Sequence, residues 1–251
     1  MKEQKVALVT GAATGIGKAC AEALATRGFI IAANYRSRRE EAEQMLRTLD
    51  GNGHQLFQAD VSEPEQASRL VDEVVSSLGR IDVLVNAAGQ FTNQTIDGDG
   101  FSQWQLSWQH SMALNLMGPV NLAFLAAQSM IKRGSGRIIN ITSRGAFRGE
   151  PTAPAYGAAK SALNSATQSL AQALGPKGIC VYAVAPGWTE TPAASPRIRA
   201  QGWDGVAAQS PLGRIGRPDE IGSVVAFLAS DNAEYLTGAI IDANGASYLR
   251  N

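Results

Sequence analysis

Three side chains suited to acid–base chemistry lie close together in the middle of the chain. Ser143 follows an apolar run at residues 137–142, and Tyr156 and Lys160 follow in an alanine-rich segment. The apolar run is typical of a buried strand and the alanine-rich segment of a helix. Tyr156 and Lys160 are four residues apart, so on a helix they share one face. The spacing therefore predicts that a hydroxyl, a phenol and an ammonium group meet in one cleft.

These groups suit the transfer of a proton to or from the oxygen of a substrate. A free tyrosine has a pKa near ~10, which is poorly matched to neutral pH. A lysine ammonium one helical turn away favours the phenolate, so we expect Lys160 to lower the pKa of Tyr156. Tyr156 would then be the general acid when a ketone is reduced and the general base when an alcohol is oxidised. Ser143 would donate a hydrogen bond to the substrate oxygen and orient it.

An alternation of strand and helix patterns must position these residues. Short apolar runs alternate with helical patterns and glycine-containing turns, which indicates βαβ units and a parallel sheet. We predict strands at residues 5–10, 29–35, 55–59, 81–85, 137–142, 179–185 and 239–242. We predict helices from the first glycine turn to residue 28, at 40–49, 64–78, 107–133 with a kink at 118–119, beyond 155, and at 220–229. The fold class is therefore α/β, with seven parallel strands in one domain, 1–251.

Composition and charge exclude several classes of protein. The chain has 251 residues, of which 45% are hydrophobic, and this suits one domain with a substantial core. A net charge of zero, with acidic and basic residues interspersed, argues against a nucleic-acid or membrane-surface binder. We expect no membrane span, because no apolar stretch approaches ~20 residues, and no signal peptide. Cys20 and Cys180 fit no metal or redox spacing, so we expect buried, reduced thiols in a cytoplasmic protein.

A glycine-rich turn joins the first predicted strand to the first predicted helix. Gly11, Gly15 and Gly17 permit a tight turn, let backbone N–H groups approach a phosphate, and let the helix pack closely on the sheet. The N-terminus of the helix adds the positive end of its dipole to this anion site. An ordinary βα turn remains the alternative, because such a turn alone is a weak signal. The turn does not end in Gly-Lys-Ser/Thr, so it is not the loop of a nucleotide hydrolase.

The spacing of this turn resembles that of the short-chain dehydrogenase/reductase family, and further motifs match the family in order along nearly the whole chain. Asp60 and Val61 resemble the pair that holds the adenine ring. Residues 86–89 resemble the family's Asn-Asn-Ala-Gly motif, with alanine in place of the second asparagine. Residues 186–191 resemble the motif that contacts the nicotinamide carboxamide. Asn115 lies where the family has a catalytic asparagine, and Ser143, Tyr156 and Lys160 keep the family's spacing.

The resemblance implies a doubly wound, single-domain Rossmann fold with helices on both faces of the sheet. It implies an NAD(P)-dependent oxidoreductase that interconverts a carbonyl and a secondary alcohol by hydride transfer. Lys160 would also bind the nicotinamide ribose, and Asn115 would hold a water that links Lys160 to solvent. The catalytic residues implied are Asn115, Ser143, Tyr156 and Lys160. The residues expected to bind the cofactor are Gly11, Thr14, Gly15, Ile16, Gly17, Asn34, Tyr35, Arg36, Ser37, Asp60, Val61, Asn86, Ala87, Ala88, Gly89, Tyr156, Lys160, Pro186, Gly187, Thr189 and Thr191.

The end of the second strand bears on the choice of cofactor. An acidic residue there would accept hydrogen bonds from the ribose hydroxyls of NAD(H). The chain instead has Arg36 and Ser37, with no acidic residue before Glu40. A guanidinium matches the geometry of a 2′-phosphate, so we expect NADP(H) to be favoured over NAD(H). Arg38 and Arg39 are interpreted as solvated residues that begin a helix.

The substrate is expected to be a small carbonyl or alcohol compound. The chain broadly resembles 3-oxoacyl-acyl-carrier-protein reductases and sugar dehydrogenases of the family. We therefore expect a reductase of 3-oxoacyl thioesters or other ketones, with a sugar or polyol dehydrogenase and a non-catalytic dinucleotide sensor as alternatives. Residues 188–211 correspond to the segment that closes over the substrate in the family, with Trp188 and Trp203 as its bulky apolar residues. Residues 90–104 are predicted to form an irregular surface turn without a metal.

Two further expectations concern histidines and assembly. His54 and His110 lie in segments that indicate a strand start and a helix surface, so neither is assigned a catalytic role. On the predicted catalytic helix, a row of small residues lies opposite Tyr156 and Lys160. The family pairs this helix with its copy in a second subunit, so the resemblance implies a homotetramer, or a homodimer. The small residues are Ala158, Ala162, Ser165 and Ser169.

Overall fold

The structure is a computed structural model that describes residues 4–98 and 100–250. Residues 1–3, Asp99 and Asn251 lie outside the described residues, although they fall within the predicted domain and, for Asp99, within the predicted surface turn. Seven strands form one sheet in which every pairing is parallel, in the order β3-β2-β1-β4-β5-β6-β7. The strands are β1 (Val6–Val9), β2 (Ile30–Tyr35), β3 (Gln55–Gln58), β4 (Val83–Asn86), β5 (Gly136–Ile141), β6 (Ile179–Pro186) and β7 (Ile240–Ala243). The predicted α/β fold is confirmed.

The central strands are apolar without alternation because helices cover both faces of the sheet. Every residue of β1, β4, β5 and β6 is buried, as expected for parallel strands between two helical layers. On one face Val9 and Ile139 pack with residues of α1, α2 and α10. On the other face Leu8 and Ile138 pack with residues of α3, α5 and α7. The helices are α1 (Gly15–Ala25), α2 (Arg39–Arg47), α3 (Pro64–Leu78), α4 (Phe101–Met112), α5 (Gly118–Arg133), α6 (Gly145–Arg148), α7 (Pro154–Leu174), α8 (Ser195–Gln201), α9 (Trp203–Ala207) and α10 (Pro218–Leu228).

The long helix predicted at 107–133 differs from expectation in two ways. It begins at Phe101, so the last four residues of the predicted surface turn are helical. The α4 and α5 segments are joined by a π-helical turn, Ala113–Met117, just before the predicted kink at Gly118-Pro119. A π-turn inserts an extra residue into the helix and is frequent at functional sites. Sequence periodicity does not predict such an insertion, because it assumes a uniform 3.6-residue repeat.

The same helix bears on the expectation that the chain has no membrane span. The continuous helical segment Phe101–Arg133 is long and apolar enough to cross a membrane by length and composition, with a mean hydropathy of 1.3 in its most apolar window. Half of that window is buried inside the protein. Leu122, Ala126 and Met130 of α5 are buried in the core cluster beneath the sheet. These apolar residues therefore serve the protein core, which is the usual reason that a core helix passes such a test.

The carboxyl ends of the strands present the loops in which the chemistry-bearing residues lie. The glycine turn follows β1, residues 87–89 follow β4, Ser143 follows β5, and Gly187 follows β6. Strand β1 lies between β2 and β4. The chain first runs from β1 to β2 and β3 on one side, and then crosses back to β4 on the other side of β1. Open parallel sheets bind their ligands in the crevice at such a switch point. The fold thus brings four loops that are distant in sequence to one edge.

Both cysteines are buried, as predicted. Burial raises the pKa of the Cys20 thiol to about 12, so it stays protonated at neutral pH. Cys20 packs in the core cluster on the α1 side of the sheet. It therefore has a packing role rather than a chemical one.

Candidate active site

A cavity of about 940 Å³ opens at the carboxyl ends of the strands. It is lined by Ser143, Tyr156 and Lys160 and also by the glycine turn after β1. Of all the residues predicted to be catalytic or to bind the cofactor, Asn86 and Asn115 do not line it. The predicted residues that line it are Gly11, Thr14, Gly15, Ile16, Gly17, Asn34, Tyr35, Arg36, Ser37, Asp60, Val61, Ala87, Ala88, Gly89, Ser143, Tyr156, Lys160, Pro186, Gly187, Thr189 and Thr191. Residues from six loops thus share one space large enough for a dinucleotide and a small substrate.

The glycine turn leaves no room for side chains at its inner positions. Gly11 and Gly15 have φ of +63° and +59°, the left-handed region that favours glycine. A Cβ at Gly17 would lie 2.2 Å from the Gly11 carbonyl oxygen, so helix α1 begins in direct contact with the turn. The backbone is therefore exposed to the cavity, and the α1 N-terminus points its free N–H groups and positive dipole end there. This cradle fits the pyrophosphate of a nicotinamide dinucleotide.

Thr10 joins the glycine turn to the loop after β4. Its hydroxyl oxygen accepts hydrogen bonds from the backbone N–H groups of Ala87 and Ala88, both at 3.0 Å. A Cβ at Gly11 would lie 3.0 Å from the Cα of Ala88, so the two loops are in close contact. The hydroxyl of Thr10 therefore fixes the spacing of two walls of the cavity. Thr10 was not among the residues predicted to form the site, because a link between two loops that are distant in sequence depends on the fold.

Asn34 and Asn86 hold the framework of the site through their side chains. The Asn34 amide nitrogen donates to the carbonyl of Ala59 at 3.1 Å, and its oxygen accepts from the N–H of Gly11 at 3.4 Å. The Asn86 amide nitrogen donates to the side-chain oxygen of Asn140 at 2.8 Å. Both asparagines are almost completely buried, and Asn86 lies behind the cavity wall. Their amides are thus turned toward the protein rather than toward a ligand.

Arg36 and Asp60 line one end of the cavity, at which the sequence predicted the adenosine of the cofactor; we call it the adenosine end. Nη1 of Arg36 lies 3.5 Å from Oδ2 of Asp60, and the Arg36 side chain is about half exposed, at 51%. Burial would raise the pKa of Asp60, but hydrogen bonds from Ser62 and the charge of Arg36 outweigh it and lower that pKa. Arg38, which was interpreted as merely solvated, also lines the cavity. The adenosine end therefore carries two guanidinium groups and one carboxylate.

Ser143, Tyr156 and Lys160 line the cavity together, in the part at which the sequence predicted the substrate. Ser143 follows β5, and its hydroxyl oxygen accepts a hydrogen bond from the N–H of Gly145 at 3.0 Å. Tyr156 and Lys160 lie on α7, which begins with Pro154 in its first turn. The Lys160 nitrogen lies 5.8 Å from the centre of the Tyr156 ring. The cleft predicted from the spacing of these three residues is therefore present.

The pKa of Tyr156 differs from the sequence prediction. Burial of the phenol is the largest influence and raises the pKa above its ordinary value. The Ser143 hydroxyl and the positive charge of Arg197 oppose this rise, whereas the charge of Glu150 adds to it. Lys160 is not among the groups that lower the pKa of Tyr156, so that part of the prediction is wrong. The reason is geometric, since the lysine nitrogen is directed elsewhere.

Lys160 is buried and makes its hydrogen bond to the backbone. Its nitrogen donates to the carbonyl oxygen of Ile141 at 2.8 Å, and the residue is 3% exposed. Burial lowers the pKa of Lys160 to about 8, because the charged form has lost much of its hydration. The amine is therefore still largely protonated at neutral pH, close to the point at which it loses its charge.

Asn115 lies next to Lys160 but behind the cavity wall. Its side-chain oxygen accepts from the N–H of Gln90 at 3.1 Å, and its nitrogen donates to the Gln90 carbonyl at 3.0 Å. A Cβ at Gly89 would lie 2.9 Å from that oxygen and 3.4 Å from the Lys160 nitrogen. The π-helical turn carries Asn115 to this position. Gly89 thus lets the asparagine and the lysine approach each other.

One wall of the cavity carries residues that the sequence analysis missed. Phe91 packs against Tyr156 with 5.1 Å between ring centres and 55° between ring planes, and the Arg197 guanidinium lies 3.8 Å from the centre of the Phe91 ring. Arg197 comes from α8, within the segment 188–211 that was predicted to cover the substrate. It is one of two basic residues in that segment, with Arg199, and this was the available signal. Arg144, Arg148 and Glu150, which follow β5, also line the cavity.

Other predicted features lie away from the cavity. His54 accepts a hydrogen bond from the N–H of Ile31 at 3.0 Å, which ties the start of β2 to the loop before β3. His110 is exposed on α4 and does not line the cavity. Trp188 lines the cavity as expected, but Trp203 is 43% exposed on α9 and does not. Helices α8 and α9 give the covering segment a small apolar cluster of its own.

Comparisons with known proteins agree with this arrangement. A family model described as "Enoyl-(Acyl carrier protein) reductase" matches residues 11–245. The chain is 38% identical over 254 aligned positions to the 3-oxoacyl-[acyl-carrier-protein] reductase FabG of Staphylococcus aureus, covering 99% of this chain and 100% of that protein. It is 40% identical to an uncharacterized oxidoreductase of Methylorubrum extorquens, covering 97% of each chain. The solved structure of the acetoin dehydrogenase YohF from Salmonella typhimurium superposes with a TM-score of 0.86, at 37% identity, covering 99% of this chain and 97% of that one.

Proposed function

The chain belongs to the short-chain dehydrogenase/reductase family, and on that premise we propose that it reduces a ketone to a secondary alcohol with NADPH, using Tyr156 as the acid–base group. Membership of this family makes it an NAD(P)-dependent oxidoreductase that acts on carbonyl and CH–OH groups. The cofactor is a nicotinamide dinucleotide and the substrate a small molecule. The choice of NADP(H), the catalytic residues and the ketone substrate are our proposal.

One observation carries the proposal. Ser143, Tyr156 and Lys160 line the same cavity as the glycine turn that fits a pyrophosphate. A protein that merely sensed the dinucleotide would need the turn but not a hydroxyl, a phenol and an amine at the other end. The convergence of these groups therefore favours an enzyme over a non-catalytic sensor.

The residues of the chain account for the proton that ketone reduction requires. The nicotinamide, when bound, supplies a hydride to the carbonyl carbon. Ser143 donates a hydrogen bond to the carbonyl oxygen and orients it, and Tyr156 gives that oxygen a proton. Because burial raises the pKa of Tyr156, the phenol is protonated at neutral pH and ready to act as the acid in reduction. In the reverse direction the phenolate accepts the proton of the alcohol.

Lys160 and Asn115 support the proton transfer from behind Tyr156. We propose that Lys160, whose nitrogen lies 5.8 Å from the centre of the Tyr156 ring, binds the ribose of the nicotinamide and so positions the cofactor beside the phenol. We propose that Asn115, next to the Lys160 nitrogen, holds a water that returns a proton from solvent. The bond from Asn115 to Gln90 keeps the asparagine in position for this task.

Charge at the adenosine end supports NADP(H). Arg36, Ser37 and Arg38 line that end, and the neighbouring carboxylate is the one on Asp60. A 2′-phosphate would gain charge-assisted hydrogen bonds from the guanidinium groups. The free ribose hydroxyls of NAD(H) would instead favour an acidic residue at the end of β2, where Arg36 stands.

The relatives suggest the class of ketone. FabG of Staphylococcus aureus is named for 3-oxoacyl groups on the acyl carrier protein, and YohF for acetoin. A 3-oxoacyl group and acetoin each contain a ketone on a carbon chain. We therefore propose that 3-oxoacyl thioesters and other short ketones are the substrates to test first, with sugars and polyols as the alternative. A homotetramer, or a homodimer, and a cytoplasmic location remain predictions from the sequence.

A substrate panel tests this function. The purified protein is mixed with NADPH and with 3-oxoacyl thioesters, short ketones, sugars or enoyl thioesters, and the loss of NADPH absorbance is followed. We expect turnover of ketones, and its loss in the variant Tyr156→Phe. The proposal fails if no carbonyl compound is reduced while NADPH still binds, which would favour a sensor.

A further inference from the structure

The guanidinium of Arg197 is held between two aromatic side chains at the edge of the cavity. Its central carbon lies 3.8 Å from the centre of the Phe91 ring and 5.3 Å from that of Trp188. Aromatic faces attract a guanidinium and restrict its rotation without using its N–H groups. Arg197 is thus fixed in direction before any ligand arrives.

The N–H groups of Arg197 have no acceptor among the described residues of the chain. A guanidinium has five donors, which proteins normally satisfy with acceptors. Within the part of the chain that the structure describes, no side chain or carbonyl accepts a hydrogen bond from the Arg197 guanidinium, and no carboxylate forms an ion pair with it. The residue is only partly exposed, and it lines the cavity together with Tyr156. An oriented guanidinium with free donors and reduced hydration is suited to bind an anion.

A second arginine that lines the cavity has one nitrogen without a hydrogen-bond partner among the described residues. Arg144 is 4% exposed, and its Nη2 donates to the side-chain oxygen of Gln209 at 3.0 Å. Its Nη1 is buried without a hydrogen-bond partner among the described residues. Burial lowers the pKa of Arg144 to about 10, so the group keeps its charge at neutral pH. A buried charged donor without an acceptor is costly, and a ligand acceptor would relieve that cost.

The acidic residue near these arginines does not neutralise the wall. Glu150 lies 3.8 Å from Nε of Arg148, and it forms no ion pair with Arg144 or Arg197 among the described residues. Three guanidinium groups and one carboxylate therefore line this part of the cavity. The excess of positive charge is local, because the whole chain has a net charge of zero.

A small molecule can span the distance from the Arg197 guanidinium to Tyr156, the proposed acid. The Phe91 ring centre lies 5.1 Å from that of Tyr156 and 3.8 Å from the Arg197 guanidinium carbon. The guanidinium and the phenol ring are therefore no farther apart than these two distances taken together. A ketone oxygen at Tyr156 and a charged group at Arg197 would be separated by a few carbon atoms. The phosphate of a carrier-protein arm lies much farther than this from the reacting ketone.

We propose that the substrate is a small ketone with an anionic group, a carboxylate or a phosphate, a few atoms from the carbonyl carbon, and that Arg197 binds this group with Arg144 beside it. The inference rests on the proposed ketone reduction and narrows its substrate class. A 3-oxoacyl thioester is neutral at that position and would leave the Arg197 donors unpaired. A neutral substrate would also leave the buried Nη1 of Arg144 without an acceptor, and the penalty for an unpaired buried donor gives such a site its selectivity.

Matched substrate pairs test the proposal. Acetoacetate is compared with methyl acetoacetate, and dihydroxyacetone phosphate with dihydroxyacetone, each with NADPH at neutral pH. We expect kcat/KM for the charged member of at least one pair to exceed that of its neutral partner about 10- to 100-fold, as charge-assisted hydrogen bonds to a guanidinium would give. The pair that shows the preference distinguishes a carboxylate from a phosphate.

Variants of Arg197 separate a binding role from a folding defect. In Arg197→Met we expect the ratio of kcat/KM for the charged to the neutral member to fall toward one, because only the charged member uses the guanidinium. A misfolded protein would instead lose both activities equally and keep the ratio. Arg197→Lys keeps the charge without the planar fork and should retain part of the preference. Arg199→Met is the matched control, because Arg199 is exposed on the same helix and does not line the cavity.

Two outcomes would overturn the inference while leaving ketone reduction intact. One is equal kcat/KM for both members of each pair, or turnover of neutral ketones and thioesters alone. The other is an unchanged preference in Arg197→Met. If the wild type reduced no ketone of any kind with NADPH bound, the proposed function itself would fail, and the inference with it.

Discussion

The Lys160 nitrogen lies 5.8 Å from the centre of the Tyr156 ring but donates its hydrogen bond to the carbonyl of Ile141, at 2.8 Å. Helical spacing brings the two residues to one face of α7, whereas the buried end of β5 decides where the amine points. The lysine is thus anchored to the sheet beneath the phenol. This relationship underlies the first two predictions.

Removal of the Tyr156 hydroxyl should remove the acid for ketone reduction. We expect Tyr156→Phe to lower kcat about 100- to 10,000-fold, the usual contribution of a general acid. Binding of NADPH should change little, because the ring that packs against Phe91 is retained. Stopped-flow absorbance measures the hydride transfer, and fluorescence titration measures NADPH binding. Undiminished hydride transfer in this variant would refute the assigned role.

The buried amine of Lys160 should make stability depend on pH. Its pKa is about 8 in the folded protein against 10.5 as the ordinary value. Between these values the unfolded chain holds the proton that the folded protein has lost, so the free energy of unfolding should rise with pH, by on the order of 3 kcal/mol. Denaturant titrations at pH 8 and pH 10 should show this rise in the wild type and its absence in Lys160→Met.

The pH dependence of stability has to be separated from the titration of Cys20 and from the effect of replacing any lysine. Cys20 has a pKa of about 12 in the fold, above its ordinary 9.0, so above pH 9 it makes stability fall as pH rises. That effect is common to the wild type and the variant, so their difference isolates Lys160. Lys132→Met, at an exposed position on α5, should behave as the wild type. A wild type and a Lys160→Met variant with parallel pH profiles would contradict the prediction.

The rate of alcohol oxidation should rise with pH, and the midpoint of this rise (the alkaline limb of the pH profile) should shift in opposite directions in two variants. Oxidation requires Tyr156 as phenolate, so its rate should rise with pH through the pKa of that residue. The charge of Arg197 lowers this pKa and that of Glu150 raises it. We therefore expect the midpoint of the limb to move to higher pH in Arg197→Met and to lower pH in Glu150→Gln. Arg199→Met should leave it unchanged, and movement of both variants in the same direction would refute the charge argument.

The cofactor preference should depend on Arg36. We expect Arg36→Gln to weaken NADPH binding about 10- to 100-fold and to leave NADH binding nearly unchanged, because only NADPH has the 2′-phosphate. Arg39→Gln is the matched control, since Arg39 lies on α2, pairs with Glu43 and does not line the cavity. Calorimetric titration of both cofactors into the three proteins measures the effect. Equal weakening of both cofactors would instead indicate a structural role for the Arg36–Asp60 pair.

The assembly should be a homotetramer, or a homodimer. The small side chains opposite Tyr156 on α7 are partly to fully exposed, so they are accessible to a second helix. The residues are Ala158, Ala162, Ser165 and Ser169. Light scattering after size exclusion at micromolar concentration measures the mass, and Ser165→Glu should lower it by placing charge in the contact. A monomeric mass for the wild type would refute this prediction.

Local patterns in the sequence were sufficient to predict most of the sheet and the two ends of the site. The runs at β1, β4, β5 and β6 are apolar without interruption because both faces of each strand are covered, and that signal is present in the residues themselves. Gly11, Gly15 and Gly17 were recognisable because few other residues suit such a turn. The four-residue spacing of Tyr156 and Lys160 places them on one helical face wherever that helix lies.

The tertiary structure decided what each of these groups faces. The wall formed by Phe91, Arg144 and Arg197 unites residues from three loops, and no local periodicity relates them. The pKa of Tyr156 depends on burial and on charges from other elements, so a prediction from its neighbour on α7 had the wrong sign. The π-turn at Asn115 likewise breaks the repeat on which helix prediction rests. The sequence by itself determined which elements form and which residues can react, because those depend on short-range geometry. The charge, the burial and the size of the substrate space depend on contacts that only folding creates.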